Sequence, residues 1–466
     1  MKPNILVTFI LLIALAFTTK AQAWSEPVTV FEGGTNNSQD FTVDSNGDIH
    51  VVWAFRINDY YWKIYYSKSV DKGATWSNPY DVVGNTSLWM SSPKIAAGSD
   101  NKLYVTYDYD TNNEEHTMVH MQIYDGTSWS QPLIVSEGMS GSYYSRLVMD
   151  EIGKLHVFWF NYSAFKFQYR SFFNGEFSAI SQPFNLAGMF FFLKGVVDGN
   201  GVIHCIGDYM APSTSHAQFI YFKQTADQWS DYSIINDKKS ATCDLALNDL
   251  GEPRVVWWRS DSGSFSTYYL SLINNLWSEP VQIAEYTHQQ AICVEQNGNE
   301  HIVLSEKKVD GYRQVHYSHN EGVWKNQVLA ETIFSSWANK LVISDTIMYL
   351  IYSIPIATDV YNTKLVVQSL PVKAISSIEH SGSNGFNCTV YPNPAKQQIL
   401  VNLKVTLLQP AIVFLYNSYG QMVLQNRIES GINQYVLQLE DQTSGIYLLR
   451  IESGIHKTTK KIMIMK

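Results

Sequence analysis

The sequence predicts an all-β protein in which a seven-bladed β-propeller precedes a small all-β domain. Two repeated features predict the propeller. A short turn containing Gly, Asn or Asp precedes an apolar run in each repeat, and a step resembling Trp-Ser-x-Pro separates successive repeats. That step recurs at intervals of 52, 53, 48, 52, 48 and 47 residues, at Trp24, Trp76, Trp129, Phe177, Trp229, Trp277 and Trp324. A period of about fifty residues that holds about four short strands is typical of propeller blades.

The order of the strands predicts how the ring closes. The chain starts its repeats with an outer strand, at residues 24–30, and ends them with a third strand, at residues 364–368. The last blade therefore lacks one strand, and the first segment is expected to supply it. Closure of this kind removes exposed sheet edges. The propeller is expected to span residues 24–372.

The N-terminal residues 1–23 have the features of a secretory signal peptide. Lys2 precedes an apolar stretch at residues 5–17, and Ala21-Gln22-Ala23 supplies the small residues of a cleavage site. The mature chain is expected to begin at Trp24 and to carry no transmembrane segment. The net charge is -9, and the sequence contains no basic stripe that could bind the phosphate backbone of a nucleic acid. Nucleic acid is therefore not an expected partner.

Histidine recurs at one position of the repeat, where the apolar run begins. This framework position holds His50, His156, His204 and His301, which are therefore expected to be structural. No Cys/His cluster has the spacing of a zinc site, so neither a metal nor a cofactor is expected.

The first repeat contains a motif with a local mechanical role. Residues 69–76 match the Asp-box, Ser-x-Asp-x-Gly-x-Thr-Trp, and the chain thereby resembles the sialidase-like propellers. In that family the box is a structural turn on the face away from the active site. The resemblance assigns this structural role to Ser69, Asp71, Gly73, Thr75 and Trp76.

After a Ser/Gly/Asn-rich linker at residues 373–387, the sequence contains no Trp and its predicted strands are more closely spaced. Residues 388–466 carry a Tyr-Pro-Asn-Pro-Ala opening at Tyr391, a Gly-x-Tyr-x-Leu core at Gly445 and a Lys-Lys ending at Lys460. This segment resembles the C-terminal sorting domain of type IX secretion. The resemblance implies a small Ig-like β-sandwich that an outer-membrane translocon recognises. It also implies a protein that is secreted or displayed at the cell surface of a Gram-negative bacterium.

The long loops between second and third strands, with the segments between blades, are expected to carry any functional site. Arginine, tyrosine, histidine and carboxylate side chains meet there. The candidate catalytic residues are Arg56, Asp59, Tyr144, Arg146, Arg259 and His288. The candidate ligand-binding residues are Tyr61, Trp62, Asp108, Tyr209, Asp261 and Arg313.

These residue types fit more than one function. A sialidase clamps a carboxylate with three arginines, and Phe55-Arg56-Ile57-Asn58 resembles a sialidase motif, although Asn58 replaces its proline. A polysaccharide lyase uses a Tyr or His base with cations that neutralise a uronate. The most favoured function is binding or processing of an extracellular glycan, and whether the protein is an enzyme stays open. The alternative is a non-catalytic propeller for surface adhesion or protein interaction.

Overall fold

The structure is a computed structural model of the chain. It describes residues 23–33, 38–57, 62–84, 89–110, 117–183, 189–261, 264–273, 275–320, 323–332, 335, 337–356, 359–372, 388–392, 395–403, 410–417, 421–453 and 456–465. The chain divides into two compact units, Met1–Val372 and Lys373–Lys466. The predicted signal peptide, apart from Ala23, and the predicted linker lie outside the described residues.

The described part of the first unit forms seven antiparallel sheets, which are numbered here as blades along the chain. Blade 1 contains β2 (Gln39–Val43), β3 (Ile49–Arg56), β4 (Trp62–Ser69) and β5 (Tyr80–Asp81). Blade 2 contains β6 (Trp89–Ala97), β7 (Leu103–Asp110), β8 (Met118–Tyr124) and β9 (Leu133–Ile134). Blade 3 contains β10 (Ser142–Met149), β11 (Leu155–Asn161), β12 (Lys166–Phe173) and β13 (Glu176–Phe177).

Blades 4 and 5 have an outer edge in two pieces. Blade 4 contains β14 (Met189–Val197), β15 (Ile203–Met210), β16 (Gln218–Thr225), β17 (Gln228–Trp229) and β18 (Ser233–Asn236). Blade 5 contains β19 (Ser240–Leu247), β20 (Pro253–Asp261), β21 (Ser264–Ile273), β22 (Leu276–Trp277) and β23 (Val281–Glu285). Blade 6 contains β24 (Thr287–Val294), β25 (Glu300–Lys308), β26 (Gly311–Asn320) and β27 (Val323–Thr332). Blade 7 contains β28 (Trp337–Ser344), β29 (Ile347–Ile356), β30 (Asp359–Pro371) and the N-terminal β1 (Val28–Glu32).

The inner strands of the blades contact one another in a closed cycle. The order is β2, β6, β10, β14, β19, β24, β28 and then β2 again. The N-terminal strand β1 completes blade 7, where Val28 pairs with Val367 and Phe31 with Leu365. Gln368 Nε2 also donates a hydrogen bond of 2.7 Å to the carbonyl oxygen of Ser25. The all-β propeller fold and its predicted closure are therefore confirmed.

Apolar side chains between adjacent blades hold the ring together. The largest fully buried ones include Trp53, Trp159 and Trp257, which occupy the same position of the second strand in blades 1, 3 and 5. The half-buried marker Trp76 packs into the cluster that joins blade 7 to blade 1. Burial of such side chains contributes about 1.5–3 kcal/mol each. The recurrence of large apolar residues in every repeat thus accounts for the stacking of the blades.

The turn at residues 69–76 has the hydrogen bonds that its sequence predicts. Asp71 accepts bonds from the Thr75 amide at 2.8 Å and from Thr75 Oγ1 at 2.6 Å, and Ser69 Oγ adds a third. Gly73 adopts a φ of 88°, which a residue with a side chain rarely adopts. The hydrogen bonds from Thr75 lower the pKa of Asp71 to about 2. Asp71 therefore stabilises a turn. The resemblance of the chain to the Asp-box propellers stays a prediction.

The second unit contains two sheets that share one core. One sheet consists of β31 (Cys388–Tyr391), β32 (Gln398–Leu403) and β35 (Gln434–Gln438). The other consists of β33 (Ala411–Tyr416), β34 (Met422–Ile428), β36 (Gly445–Ser453) and β37 (His456–Ile464). Alternate residues of both sheets, such as Val401, Val413 and Leu449, are fully buried in the shared cluster. This is the expected small β-sandwich. Throughout the described residues, no helix is long and apolar enough to cross a membrane.

Candidate functional site in the propeller channel

The inner strand of every blade places one residue at the same level around the axis of the propeller. In blades 2, 5 and 7 the framework position is held by Tyr104, Arg254 and Tyr349. Each of the seven inner-strand residues pairs with the residue two positions after the framework position of its blade, as Lys94 does with Thr106 and Arg146 with Phe158. We call the seven equivalent residues the channel ring. They are Asp40, Lys94, Arg146, Lys194, Asp244, Ala291 and Lys340. Four cations and two carboxylates give the ring a formal net charge of +2.

Two ion pairs join neighbouring blades within the channel ring. Lys340 Nζ lies 2.5 Å from Asp40 Oδ1, and Lys194 Nζ lies 2.7 Å from Asp244 Oδ1. Burial alone raises the pKa of Asp40, but the charge of Lys340 and then that of Lys94 outweigh it, so the pKa is lowered. The side chains of Lys194 and Lys340 each remain 29% exposed, so solvent reaches the ring.

Lys94 and Arg146, which are neighbours in the ring, both donate hydrogen bonds to backbone carbonyls. Lys94 Nζ donates to the carbonyl oxygen of Pro93 at 3.0 Å, and no carboxylate of a described residue lies within 4.0 Å of it. Arg146 Nε donates to the carbonyl oxygen of Leu193 at 3.1 Å. Burial lowers the pKa of Lys94 to about 8, and the positive charges of Arg146 and Lys340 act in the same direction. Lys94 and Arg146 thus place two positive charges side by side between blades 2 and 3, close to the carboxyl group of Asp108.

A β-bulge shapes the loop-rich end of the channel above Arg146. The pairing of β10 with β11 shifts between Tyr143 and Arg146, and Tyr144 adopts a φ of 56°. Bulges re-aim side chains and are frequent next to binding sites. The amide of Tyr144 donates to both carboxylate oxygens of Asp108, at 3.1 and 3.2 Å. Asp108 thereby holds the bulge of the next blade in place.

Asp108 and Tyr144 differ in their access to solvent. Asp108 is fully buried, and burial raises its pKa to about 7, although the bond from Tyr144 opposes the rise. Tyr144 is 46% exposed. Partial burial and the nearby Tyr162 raise the pKa of Tyr144, so its phenol is protonated at neutral pH. The structure thus brings three predicted residues, Asp108, Tyr144 and Arg146, together beside Lys94.

Three other predicted residues lie in blades 5 and 6. The guanidinium of Arg259 stacks on the ring of Tyr268 at 3.5 Å. His288 packs edge-on against Trp258, with ring centroids 4.9 Å apart, and burial lowers its pKa. Arg313 donates from Nη2 and Nε to one oxygen of Glu306, Oε2, at 2.6 and 2.7 Å. Each of the three side chains has a partner in the same blade or in the adjacent blade.

The remaining predicted residues are spread around the propeller. Trp62 packs partly buried into the core between blades 1 and 2, and Arg56 pairs with it at the end of β3. Tyr209 is buried, with its ring 5.8 Å from that of Tyr232. Asp261 ends β20 as a partner of Ser264. Asp59, Tyr61 and the side chain of Asp261 lie outside the described residues.

The candidate residues of the sequence analysis include one charged member of the channel ring, Arg146, and omit Asp40, Lys94, Lys194, Asp244 and Lys340. A signal for four of these is present, because Asp40, Lys94, Lys194 and Asp244 each stand ten residues before the framework position of their blade, as Arg146 does. Among the described residues, no group of three or more His, Cys, Asp or Glu side chains is arranged to hold a metal ion.

Comparison with known proteins identifies the C-terminal segment and the fold of the propeller. Residues 389–465 match the family model of the secretion system C-terminal sorting domain. No curated protein matches the chain. A polysaccharide lyase of family PL25, an ulvan lyase bound to -[GlcA(1-4)Rha3S]-, superposes with a TM-score of 0.52 at 10% identity, over 73% of this chain and 95% of that chain. The polysaccharide lyase Uly1 superposes with a TM-score of 0.53 at 8% identity, over 75% of this chain and 100% of that chain.

Identities this low show a shared fold and no more. The sorting domain shows that the chain is handled by type IX secretion. The protein is therefore an all-β propeller with a sorting domain, and it is secreted or displayed at the surface of a Gram-negative cell.

Proposed function

We propose that the propeller binds an acidic polysaccharide at the loop-rich end of its channel. In this proposal Lys94 and Arg146 contact a carboxylate or sulfate group of the sugar chain. The observation that carries the proposal is the pair of neighbouring cations, Lys94 and Arg146, in a channel ring whose formal net charge is +2.

The chemistry of the two cations suits such a ligand. An arginine guanidinium presents a planar set of donors that matches a carboxylate or sulfate, and a lysine ammonium adds a point charge. Inside a narrow channel these charges act through a lower dielectric than in open water, so they attract an anion more strongly. Asp40 and Asp244 already have cationic partners, Lys340 and Lys194, in their own neighbouring blades.

The solved relatives support this ligand class. Both polysaccharide lyases share the propeller fold, and the ligand named for one of them contains GlcA and Rha3S units. These are sugars that carry a carboxylate and a sulfate. Acidic polysaccharides are therefore the first class to test with this chain.

A second function, cleavage by β-elimination, is favoured by the position of Tyr144. Its phenol is exposed and protonated, and the carbonyl oxygen of the same residue accepts a hydrogen bond of 3.3 Å from Arg146 Nη1. Arg146 would neutralise the uronate carboxylate, and the phenol of Tyr144 would donate a proton to the leaving oxygen; the elimination also requires a base that removes the C5 proton. Sialidase activity receives less support, because Arg259 stacks on Tyr268 and Arg313 is paired with Glu306. A non-catalytic adhesion propeller is the alternative.

The test uses the purified secreted chain and a panel of uronate-containing, sulfated, sialylated and neutral polysaccharides. Binding is measured by calorimetry, and cleavage by the absorbance of the new carbon–carbon double bond and by the release of reducing ends. Acidic polysaccharides should bind to the native chain and fail to bind to Arg146→Ala. Arg427→Ala in the C-terminal unit, where the side chain is 65% exposed, is the matched control and should bind normally. Equal binding of neutral polysaccharides, or unchanged binding by Arg146→Ala, would contradict the proposal.

A further inference from the structure

Three aromatic residues of the described chain adopt a left-handed backbone conformation. Tyr144, Phe165 and Tyr286 have φ angles of 56°, 51° and 52°. Bulky side chains rarely adopt this conformation, because it is strained. The side chains of these residues are 46%, 48% and 55% exposed, so burial does not compensate for the strain.

The left-handed residues of the propeller fall into a few recurring positions. Most other left-handed residues that are not glycine lie in short turns at the opposite end of the blades or in the inner-strand bulges, and include Asn101, Asn174 and Asp345. Asparagine and aspartate tolerate this conformation. The three aromatic residues lie at the loop-rich end. Tyr144 lies in the inner-strand bulge of blade 3, where Ser92, Thr242 and Gln289 adopt the same conformation in blades 2, 5 and 6. Phe165 lies in the turn between β11 and β12, and Tyr286 lies just before β24. The fold therefore sets this backbone conformation, and what distinguishes the three residues is an exposed aromatic ring at the loop-rich end.

Two of the three residues belong to one aromatic group on blade 3. Tyr144 lies in the bulge of β10, and Phe165 closes the turn that joins β11 to β12. Between them lies Tyr162, which is 46% exposed. Tyr143 links the two tyrosines, with its ring centroid 6.0 Å from that of Tyr144 and 5.3 Å from that of Tyr162. Phe165 joins them through the hydrogen bond from its amide to the carbonyl oxygen of Tyr162.

Hydrogen bonds fix the turn that carries this group. Asn161 Nδ2 donates to the carbonyl oxygen of Ser140 at 2.8 Å, and Asn161 Oδ1 accepts from the amide of Ala164 at 2.8 Å. The amide of Tyr162 donates to the carbonyl oxygen of Gly141 at 2.8 Å. The aromatic side chains therefore project from a rigid base, as preorganised binding residues do.

We propose that Tyr144, Tyr162 and Phe165 form a sugar-stacking subsite for the same acidic polysaccharide that the channel ring binds. This inference rests on the proposed function and adds the direction in which the sugar chain runs across the propeller. The charged unit lies over Lys94 and Arg146, and the neighbouring sugar stacks its apolar face on blade 3. Exposed aromatic rings with a polar rim are suited to the C–H faces of sugars. The adjacent cations favour an acidic glycan over a protein as the occupant.

The main test is Phe165→Gly, which separates a binding role from a structural one. Glycine tolerates the left-handed conformation, so the melting temperature should stay the same or rise. Removal of the ring should still weaken binding of an acidic polysaccharide by about three- to tenfold, and Tyr162→Ala should do the same. The matched control is Phe173→Ala, at the other end of β12, whose side chain is 38% exposed. It should bind as the native chain does.

The outcomes distinguish the two proposals. Unchanged binding by Phe165→Gly and Tyr162→Ala, together with a loss in Lys94→Gln, would overturn the stacking subsite and leave the charge-based function standing. Failure of the native chain to bind any acidic polysaccharide would overturn both. Loss of attachment to a protein partner, with glycan binding intact, would also overturn the subsite.

Discussion

His50 Nδ1 lies 2.8 Å from Tyr66 Oη, and the same contact joins the second and third strands in two further blades. His156 pairs with Tyr169 at 2.8 Å and His204 with Tyr221 at 2.7 Å. In blade 6 the partner of His301 is His316, at 2.9 Å. The histidines that recur at the framework position are therefore structural links within their blades, as their sequence spacing predicts.

Removal of one tyrosine hydroxyl from these links should destabilise the propeller. His156 Nε2 faces the carboxylate of Asp150 at 3.4 Å, so Nδ1 accepts the hydrogen bond from Tyr169. Tyr169→Phe leaves that buried acceptor without its donor, and we expect a loss of about 1–2 kcal/mol in the free energy of unfolding. Urea denaturation followed by tryptophan fluorescence measures the loss. Tyr80→Phe, at a side chain that is 54% exposed, should change the free energy by less than about 0.5 kcal/mol.

Acid should destabilise the propeller through its buried histidines. Burial lowers the pKa of His120 to about 4. Burial, with a smaller effect of His301, also lowers the pKa of His316. The unfolded chain therefore binds more protons than the folded chain once the pH falls below about 6.5. The stabilisation is complete above that pH and is lost progressively as the pH falls toward the folded pKa.

Two measurements check this pH dependence. The urea midpoint should fall between about pH 7 and pH 5, and the fall should be smaller in His120→Gln. In proton NMR titrations the ring signals of His120 should not move until the pH approaches 4. A His120 signal that titrates near pH 6.5 would contradict the structure.

The ion pair between Asp40 and Lys340 should stabilise the junction of blades 7 and 1. Asp40 is buried, and it also accepts a hydrogen bond of 3.0 Å from the amide of Ile95 in blade 2. Lys340→Met leaves a buried carboxylate without its cation, which should lower the free energy of unfolding by about 3 kcal/mol. The double variant Asp40→Leu with Lys340→Met should recover part of the loss. Equal stability of the single variant and the native chain would show that the pair contributes nothing.

The pKa of Lys94 gives the proposed binding site its own pH signature. With a pKa of about 8, the ammonium is charged at neutral pH and loses its proton as the pH rises. Binding of an acidic polysaccharide should therefore weaken by up to about tenfold per pH unit above pH 8. Lys94→Arg should bind well and keep its affinity to higher pH, because arginine remains charged. An identical pH dependence in the native chain and in Lys94→Arg would exclude Lys94 from the site.

The repeats in the sequence were sufficient to predict the propeller and its closure. The closure could be predicted because it depends only on the order of the strands along the chain. The repeats begin with an outer strand at Trp24 and end with a third strand. The site was harder to predict, because its parts meet through non-local contacts. Lys94 and Arg146 become neighbours only when inner strands of different blades contact in a ring. The partner of Arg313 depends on the register that sets it opposite Glu306.

The most direct test of the account is the structure of the propeller with an acidic oligosaccharide bound. The account predicts a carboxylate or sulfate oxygen within hydrogen-bonding distance of Lys94 Nζ and of the Arg146 guanidinium, at the loop-rich end of the channel. A ligand bound at the opposite end of the blades, or one whose charged groups avoid both cations, would contradict it.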